Sequence, residues 1–319
     1  MIDRVASWCT ACYKATDLGL SDPPQAKDSQ TTVWPMVKSF SQQSAKALVE
    51  GLQRVVTDQL DRLGGLQHRL HGPLTTNDAT QLVNDICQLA RAFAANAYSA
   101  KLYHDWSVPP TPEWHDHFID LYRALPIDRN TLWVERGVYG VAALKRGGRF
   151  LELCCGDGFN TRHFYSPFAS AITAIDFDEG AIAHARTYNA HPTVSYVLGD
   201  IRQFDVSATY SNVIWDAAIE HFTETEIASI MKRIKEVLDP SGVLSGYTIV
   251  EKEGGKHLHQ HEREFRSMAD LANFLTPHFK NVRVFETIHS SRHNLYFYAS
   301  DSVVPFDEGH SSSLVIRSS

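Results

Sequence analysis

The stretch "RFLELCCGDGFN" at 149–160 sets Glu152, Cys154, Cys155, Gly156, Asp157 and Gly158 at the end of an apolar run. A glycine turn between a strand and the next helix lets a ligand approach the backbone and rest at the helix N-terminus. Asp176 follows twenty residues after Gly156. An acid at that offset suits the hydrogen bonding of ribose hydroxyls. Gly199-Asp200 ends a third apolar run, and its carboxylate could take an adenine amino group. Glu220-His221 follows a fourth, and "KHLHQHEREF" at 256–265 carries His257, His259 and His261 in alternation.

Glu152 narrows the ligand. A carboxylate buried at a strand end is costly unless a cation or a hydrogen-bond donor compensates it. A dinucleotide would bring a negative pyrophosphate to that edge. S-adenosylmethionine would bring an ammonium and a sulfonium, and the electrostatics favour it. Thr161 stands where the third glycine of G-x-G-x-x-G is wanted, which weakens an NAD-dependent oxidoreductase reading. His221 has the acid–base range to take a proton from an acceptor hydroxyl, and packing beside the cofactor is its bland alternative. The alternating histidines have ligand chemistry, but their spacing reads as a loop or lid, so no metal is expected.

The elements that must position these residues change character near Gly148. Before it, apolar residues recur at helical spacing from Val33 to about Leu70. A second helix, capped by Asn77 or Thr75, runs on through Ala97. "SVPPTPEW" at 107–114 is a break, and helices through His117–Leu125 and Trp133–Leu144 follow. "KRGGR" at 145–149 reads as a helix C-terminus. After it, short apolar runs alternate with amphipathic ones. Strands are expected at 149–154, 171–176, 194–199, 211–216 and 242–250. Helices are expected at 158–167, 178–189, 224–238 and 267–278, with "DPSG" at 239–242 a turn. Such alternation means a mostly parallel, doubly wound sheet covered on both faces. "NVRVFETI" and "NLYFYAS" close the chain as an antiparallel pair.

Composition supports an ordinary globular protein, with 43% hydrophobic and 21% charged residues. A net charge of −7 argues against a nucleic-acid-tracking surface. No run approaches a membrane span and no signal-peptide core opens the chain, so a cytoplasmic setting is expected. Five cysteines, two of them adjacent, form no disulfide framework. Cys9-x-x-Cys12 lacks a second pair for zinc. Cys154 and Cys155 read as small apolar packing.

"LELCCGDGFN", "AIDFDEGAIAHAR", "VLGDI" and "WDAAIEHF" resemble the successive motifs of a class I S-adenosylmethionine-dependent methyltransferase of the small-molecule type. The resemblance covers about 133–300 and implies a seven-stranded sheet whose last strand is antiparallel. By position it implies that Glu152 and the Gly156–Gly158 turn, with Cys154 and Asp157, face the methionine part. Asp176 with Phe177 would serve the ribose, Asp200 and Ile201 the adenine, and Trp215, Asp216 and Ala217 would flank the cofactor. The family loop commonly has glycine where this chain has Cys154. Trp133, Arg136 and Tyr139 are candidates for cofactor or substrate contact, against a plain amphipathic helix with Arg136 solvated. The absence of an Asn/Asp-Pro-Pro-Tyr segment after strand four speaks against DNA amine methylation. A small-molecule or glycan acceptor, methylated on oxygen or nitrogen, is expected, with self-association left open and a non-catalytic cofactor-binding scaffold as a third reading. The expected organisation is a helical accessory region at 1–132, the methyltransferase domain at 133–302 and a flexible tail at 303–319.

Overall fold

A computed structural model describes the chain except residues 1–49, 51–52, 55, 59, 67–74, 108–113, 125–130, 205–206, 253–254, 256–259, 290–291 and 312–319. The Cys9-x-x-Cys12 pair, His257, His259, most of the 107–114 break and the end of the tail therefore lie outside the described residues. So does much of the helix expected from Val33.

The described residues fall into two compact units. One takes in those up to 107 together with 118–124, and the other takes in 114–117 and those from 131 onward. The first unit holds α1, Thr76–Ser107. Thr75 opens it: its hydroxyl accepts from the Asp78 N–H at 3.2 Å, while Asp78 accepts from the Thr75 N–H at 3.0 Å. This reciprocal capping satisfies two donors at the helix start. Of the helix expected through 117–125, residues 118–119 are α-helical and continue into a π turn at Asp120–Ala124.

The second unit is a seven-stranded sheet. In chain order its elements are α2 Leu132–Ala143, β1 Gly148–Leu153, β2 Ala169–Asp176, α3 Glu179–Tyr188, β3 Val194–Leu198, β4 Tyr210–Asp216, α4 Glu224–Val237, β5 Leu238–Ile249, α5 Met268–Leu275, β6 Asn281–His289 and β7 Arg292–Ser300. The strand order is β3-β2-β1-β4-β5-β7-β6. Only β7 runs against its neighbours, pairing antiparallel with both β5 and β6.

The pleat alternates side chains between faces. Leu151, Leu153, Val213 and Trp215 point to one core, shared with Ile227, Ile230, Met231, Ile234 and Val237 of α4. Phe150, Ile172 and Ile214 point to the other, with Val141, Ile182 and Ala185. The α4 residues fall on one helical stripe, and each is fully buried. Burying each contributes roughly 1.5–3 kcal/mol before the ordering cost. Thr223 and Glu226 cap that helix reciprocally. Glu152 and Asp216 stand on the Phe150 and Ile214 side by the same period of two, at the C-terminal ends of the two central strands.

Two local expectations are corrected. The helix expected at 158–167 is broken into a π turn at Thr161–Tyr165 and a 3-10 turn at Ser166–Phe168. Pro167 has no N–H to give to a continuing helix. The strand expected at 242–250 begins at Leu238, because Tyr210 pairs with Leu238 before Asn212 pairs with Val243. The "DPSG" segment is thus a bulge within β5.

Candidate active site

The glycine turn is held by the acid at the end of the neighbouring strand. Asp176 is 6% exposed and accepts from the Gly156 N–H at 2.8 Å and the Asp178 N–H at 2.9 Å, one on each oxygen. Burial raises its pKa, and these backbone donors oppose the rise without cancelling it. Gly156 and Gly158 both have positive φ, +53° and +73°. At Gly158 a Cβ would also meet the Tyr196 ring, so only glycine fits there.

Cys154 and Ala217 adopt the left-handed region too, with φ of 59° and 54°. They follow the two central strands, β1 and β4. Left-handed non-glycine backbone costs energy and gathers at functional edges. The conformation also explains why the related loops favour glycine at the Cys154 position. The residue is half-buried, and desolvation with the nearby Asp176, Glu220 and Asp200 carboxylates pushes the thiol pKa well up, against thiolate chemistry.

Glu152 is 3% exposed and accepts from the Thr161 hydroxyl at 2.6 Å. Burial pushes its carboxyl up to about 8 despite that hydroxyl, helped by the charges of Asp216, Asp157 and Asp176. Four carboxylates thus converge around the glycine turn. Two have dedicated partners. Arg136, buried on α2, donates to Asp216 through Nε at 3.1 Å and lies over the Tyr247 ring, and Asn160 donates to Asp216 at 3.1 Å. Arg136 is therefore buried and paired, which corrects the reading of it as solvated on a plain amphipathic helix. Asp157 accepts from the His117 N–H at 2.9 Å, and its other oxygen lies 2.9 Å from His117 Nδ1. Burial alone would raise Asp157, but His117 and the Phe159 N–H bring it below the usual range.

The edge at the ends of β2 and β3 is more open. Phe177 is 62% and Leu198 48% exposed, an apolar pair at the ends of β2 and β3. Asp200 is clamped by Arg202, whose guanidinium sits 2.7 Å away and keeps the carboxyl low. The Ile201 and Trp215 side chains are in the core, so only their backbone can face a ligand. Tyr139 packs on Phe285 and Tyr296 and lines a cavity with Arg136 and Asp216.

His221 ends the 3-10 turn Ile219–His221 after β4, and its ring meets the ring of His261 edge-on at 4.8 Å. Glu220 is buried and accepts from Thr248 Oγ1 at 3.0 Å. Sequence reasoning did not find Thr161, His117, Trp114 or the Arg136–Asp216 pair. Trp114 donates to Asp178 at 3.2 Å. Thr161 did leave a signal, as a hydroxyl in the first turn after the loop.

A family described as a methyltransferase domain matches residues 150–242, which hold the glycine turn, Asp176, Asp200 and Glu220-His221. Those residues are thus similar to methyltransferase domains. Among curated proteins, the domain is similar to malonyl-[acyl-carrier protein] O-methyltransferases. That of Priestia megaterium is 30% identical over 95 residues, covering 30% of this chain and 34% of the relative. That of Bacillus anthracis is 32% identical over 97 residues, covering 30% and 35%. The chain thus spans about a third of the length of the curated relatives it matches. Among solved structures, a DhpI–SAH complex aligns with a TM-score of 0.46 at 21% identity, covering 57% of this chain and 91% of that one. The N-methyltransferase NodS from Bradyrhizobium japonicum WM9 aligns with a TM-score of 0.46 at 18% identity, covering 56% and 100%.

Proposed function

We propose that this chain transfers the methyl group of S-adenosylmethionine to an oxygen or nitrogen of a small-molecule or glycan acceptor. The observation that carries the reading is the carboxylate of Glu152. It is buried at the end of β1 with the Thr161 hydroxyl as its donor, and burial holds it near 8. A ligand bringing an ammonium to that point would compensate it, and the methionine part of the cofactor carries one. The residues present therefore fit the cofactor. Glu152 and the Gly156–Gly158 turn would hold the methionine part, with Cys154 and Asp157 shaping the turn. Asp176, already oriented by two backbone donors, would receive the ribose. Phe177, Asp200 and the Ile201 backbone would line the adenine, and Trp215, Asp216 and Ala217 the flank after β4. The bound cofactor supplies an electrophilic methyl on a sulfonium.

Methyl transfer is an in-line displacement, so alignment supplies much of the acceleration. His221 stands at the strand edge where ligands bind in open α/β sheets and is the acceptor-side catalytic residue of this proposal. The curated relatives are named O-methyltransferases, which favours oxygen as the acceptor atom and admits an acyl group borne on a carrier protein. Residues 1–132 are proposed as an accessory region, 133–302 as the catalytic domain and 303–319 as a tail.

Isothermal titration of the full chain with S-adenosylhomocysteine and, separately, NAD tests the cofactor assignment. Binding of the first and not the second is expected, and the reverse would return the chain to the oxidoreductase reading. Turnover against a panel of hydroxyl, carboxyl and amine acceptors separates an enzyme from a non-catalytic scaffold.

A further inference from the structure

Glu220, His221 and His261 bring one carboxylate and two imidazoles together, their ligand atoms within 4.8 Å of one another. The two segments are pinned by their backbones. The N–H groups of Glu262 and Arg263 donate to the carbonyl of Glu220 at 2.9 and 3.0 Å, which fixes His261 beside the turn after β4. Outer partners orient the side chains in turn. Glu264 holds Nδ1 of His261, and Thr248 holds Glu220 at 3.0 Å. A carboxylate on the far nitrogen of a ligating histidine is the usual support of a metal site. Glu220, His261 and Glu264 are 4%, 4% and 5% exposed, so two carboxylates share one dry corner. Buried charges of one sign are costly unless paired or bound to a metal. The cation nearest in sequence, Arg263, is committed elsewhere: it pairs with Glu224 and Asp270 and lies over Phe265 and Phe274.

We propose that Glu220, His221 and His261 form a binding site for one divalent transition-metal ion, with Glu264 and Thr248 as its supporting groups. Two nitrogens and one carboxylate oxygen suit zinc, manganese or iron better than magnesium or calcium, which favour all-oxygen sets. Metal–ligand bonds of about 2.0–2.2 Å place two ligand atoms at most ~4.4 Å apart, so the cluster is within a small side-chain movement of a chelate. Three protein ligands leave an open position, and an acceptor oxygen would suit it. This role as an acceptor anchor rests on the methyltransferase reading, whereas the metal binding does not. It also makes His221 a ligand instead of a free base, and it replaces the expectation of no metal drawn from the alternating histidines.

The test uses the full chain, stripped with chelator, dialysed, and titrated with zinc or manganese chloride by calorimetry, with bound metal counted by atomic emission. One ion per chain is expected. Glu220→Gln and His261→Ala should each weaken binding at least tenfold, and Glu264→Gln by about 10–100-fold. Cobalt substituted into the wild type should give visible d–d bands that His261→Ala abolishes. If His261→Ala does not fold, Glu264→Gln and the cobalt spectrum decide. Failure to hold an ion, or unchanged binding in the folded His221→Ala/His261→Ala double variant, overturns the site. Loss of metal binding with S-adenosylhomocysteine binding intact would leave the methyltransferase reading standing. Metal binding without S-adenosylhomocysteine binding would overturn that reading and keep the site.

Discussion

Shifting pH from 6.5 to 8.0 should tighten S-adenosylhomocysteine binding, because the ligand's ammonium needs Glu152 ionised. With its pKa near 8, Glu152 is ionised in about 3% of ligand-free molecules at pH 6.5 and about half at pH 8.0. The ratio is roughly sixteenfold in affinity, or about 1.6 kcal/mol. At pH 7.0 each binding event should release about 0.9 proton, measurable by calorimetry repeated in buffers of different ionisation enthalpy. Glu152→Gln keeps the shape and a partner for Thr161 but removes the charge. It should bind roughly 1.5–3 kcal/mol more weakly at pH 8.0, flatten the pH dependence and release no proton. The sign for the ligand-free fold is opposite. A carboxyl whose folded pKa is raised contributes stability fully present below its unfolded pKa, near 4.3, and lost as pH rises through about 8. The thermal midpoint of Glu152→Gln should therefore gain on that of the wild type between pH 5 and 8. Affinity flat with pH, no proton release and wild-type binding by Glu152→Gln would together refute the pairing of this carboxylate with the ligand's cation.

Asp176→Ala should cost roughly 1.5–3 kcal/mol of S-adenosylhomocysteine affinity, and an unchanged dissociation constant would remove ribose recognition from the proposal. Arg136→Met leaves Asp216 buried without its ion pair and should lose about 3–5 kcal/mol in denaturant unfolding, with Asp216→Asn on that background restoring much of it. A loss under about 1 kcal/mol would mean that Asn160 suffices. Cys154→Gly, at φ 59°, should leave stability within about 1 kcal/mol, since relief of left-handed strain offsets the entropy of glycine. Cys154→Val should be plainly destabilising in the same thermal melts, because a β-branched side chain fits that region poorly. His221→Ala should hold S-adenosylhomocysteine affinity within a few-fold while turnover falls by about 10²–10⁴, and parallel losses of both would make the residue structural.

The fold was legible because its signals are local. Alternating short apolar runs and amphipathic stretches announce strands and covering helices, and the two closing strands sit within a short loop of each other. The acids at 176 and 200 could be placed because a parallel sheet sends the ends of successive strands to one edge. The capping of α1 was readable only to a choice between Asn77 and Thr75, and the structure takes Thr75, paired with Asp78. Where local grammar failed, a single residue or pairing decided the matter. Pro167 broke the helix after the glycine turn, and the pairing of Tyr210 with Leu238 drew the Asp239–Gly242 turn into β5.

The site is only half legible for the same reason. Residue type and spacing singled out Glu152, Gly156, Gly158, Asp176 and His221, each at a strand end or the turn beside it. They could not say that Arg136 would find Asp216, eighty residues on, or that His117 would hold Asp157 from forty residues upstream. Nor could they set His261 against His221, or show that Cys154 and Ala217 both take left-handed backbone. A periodic pattern fixes which face a side chain occupies, but which charges meet depends on the order of strands and the paths of loops. In this chain the sequence by itself determined the sheet, the glycine turn and the edge where a ligand belongs. The tertiary structure alone decided which buried carboxylates are compensated from within and that Glu152 has, among the described residues, only a hydroxyl, because burial and pairing are properties of packed neighbours and not of spacing along the chain.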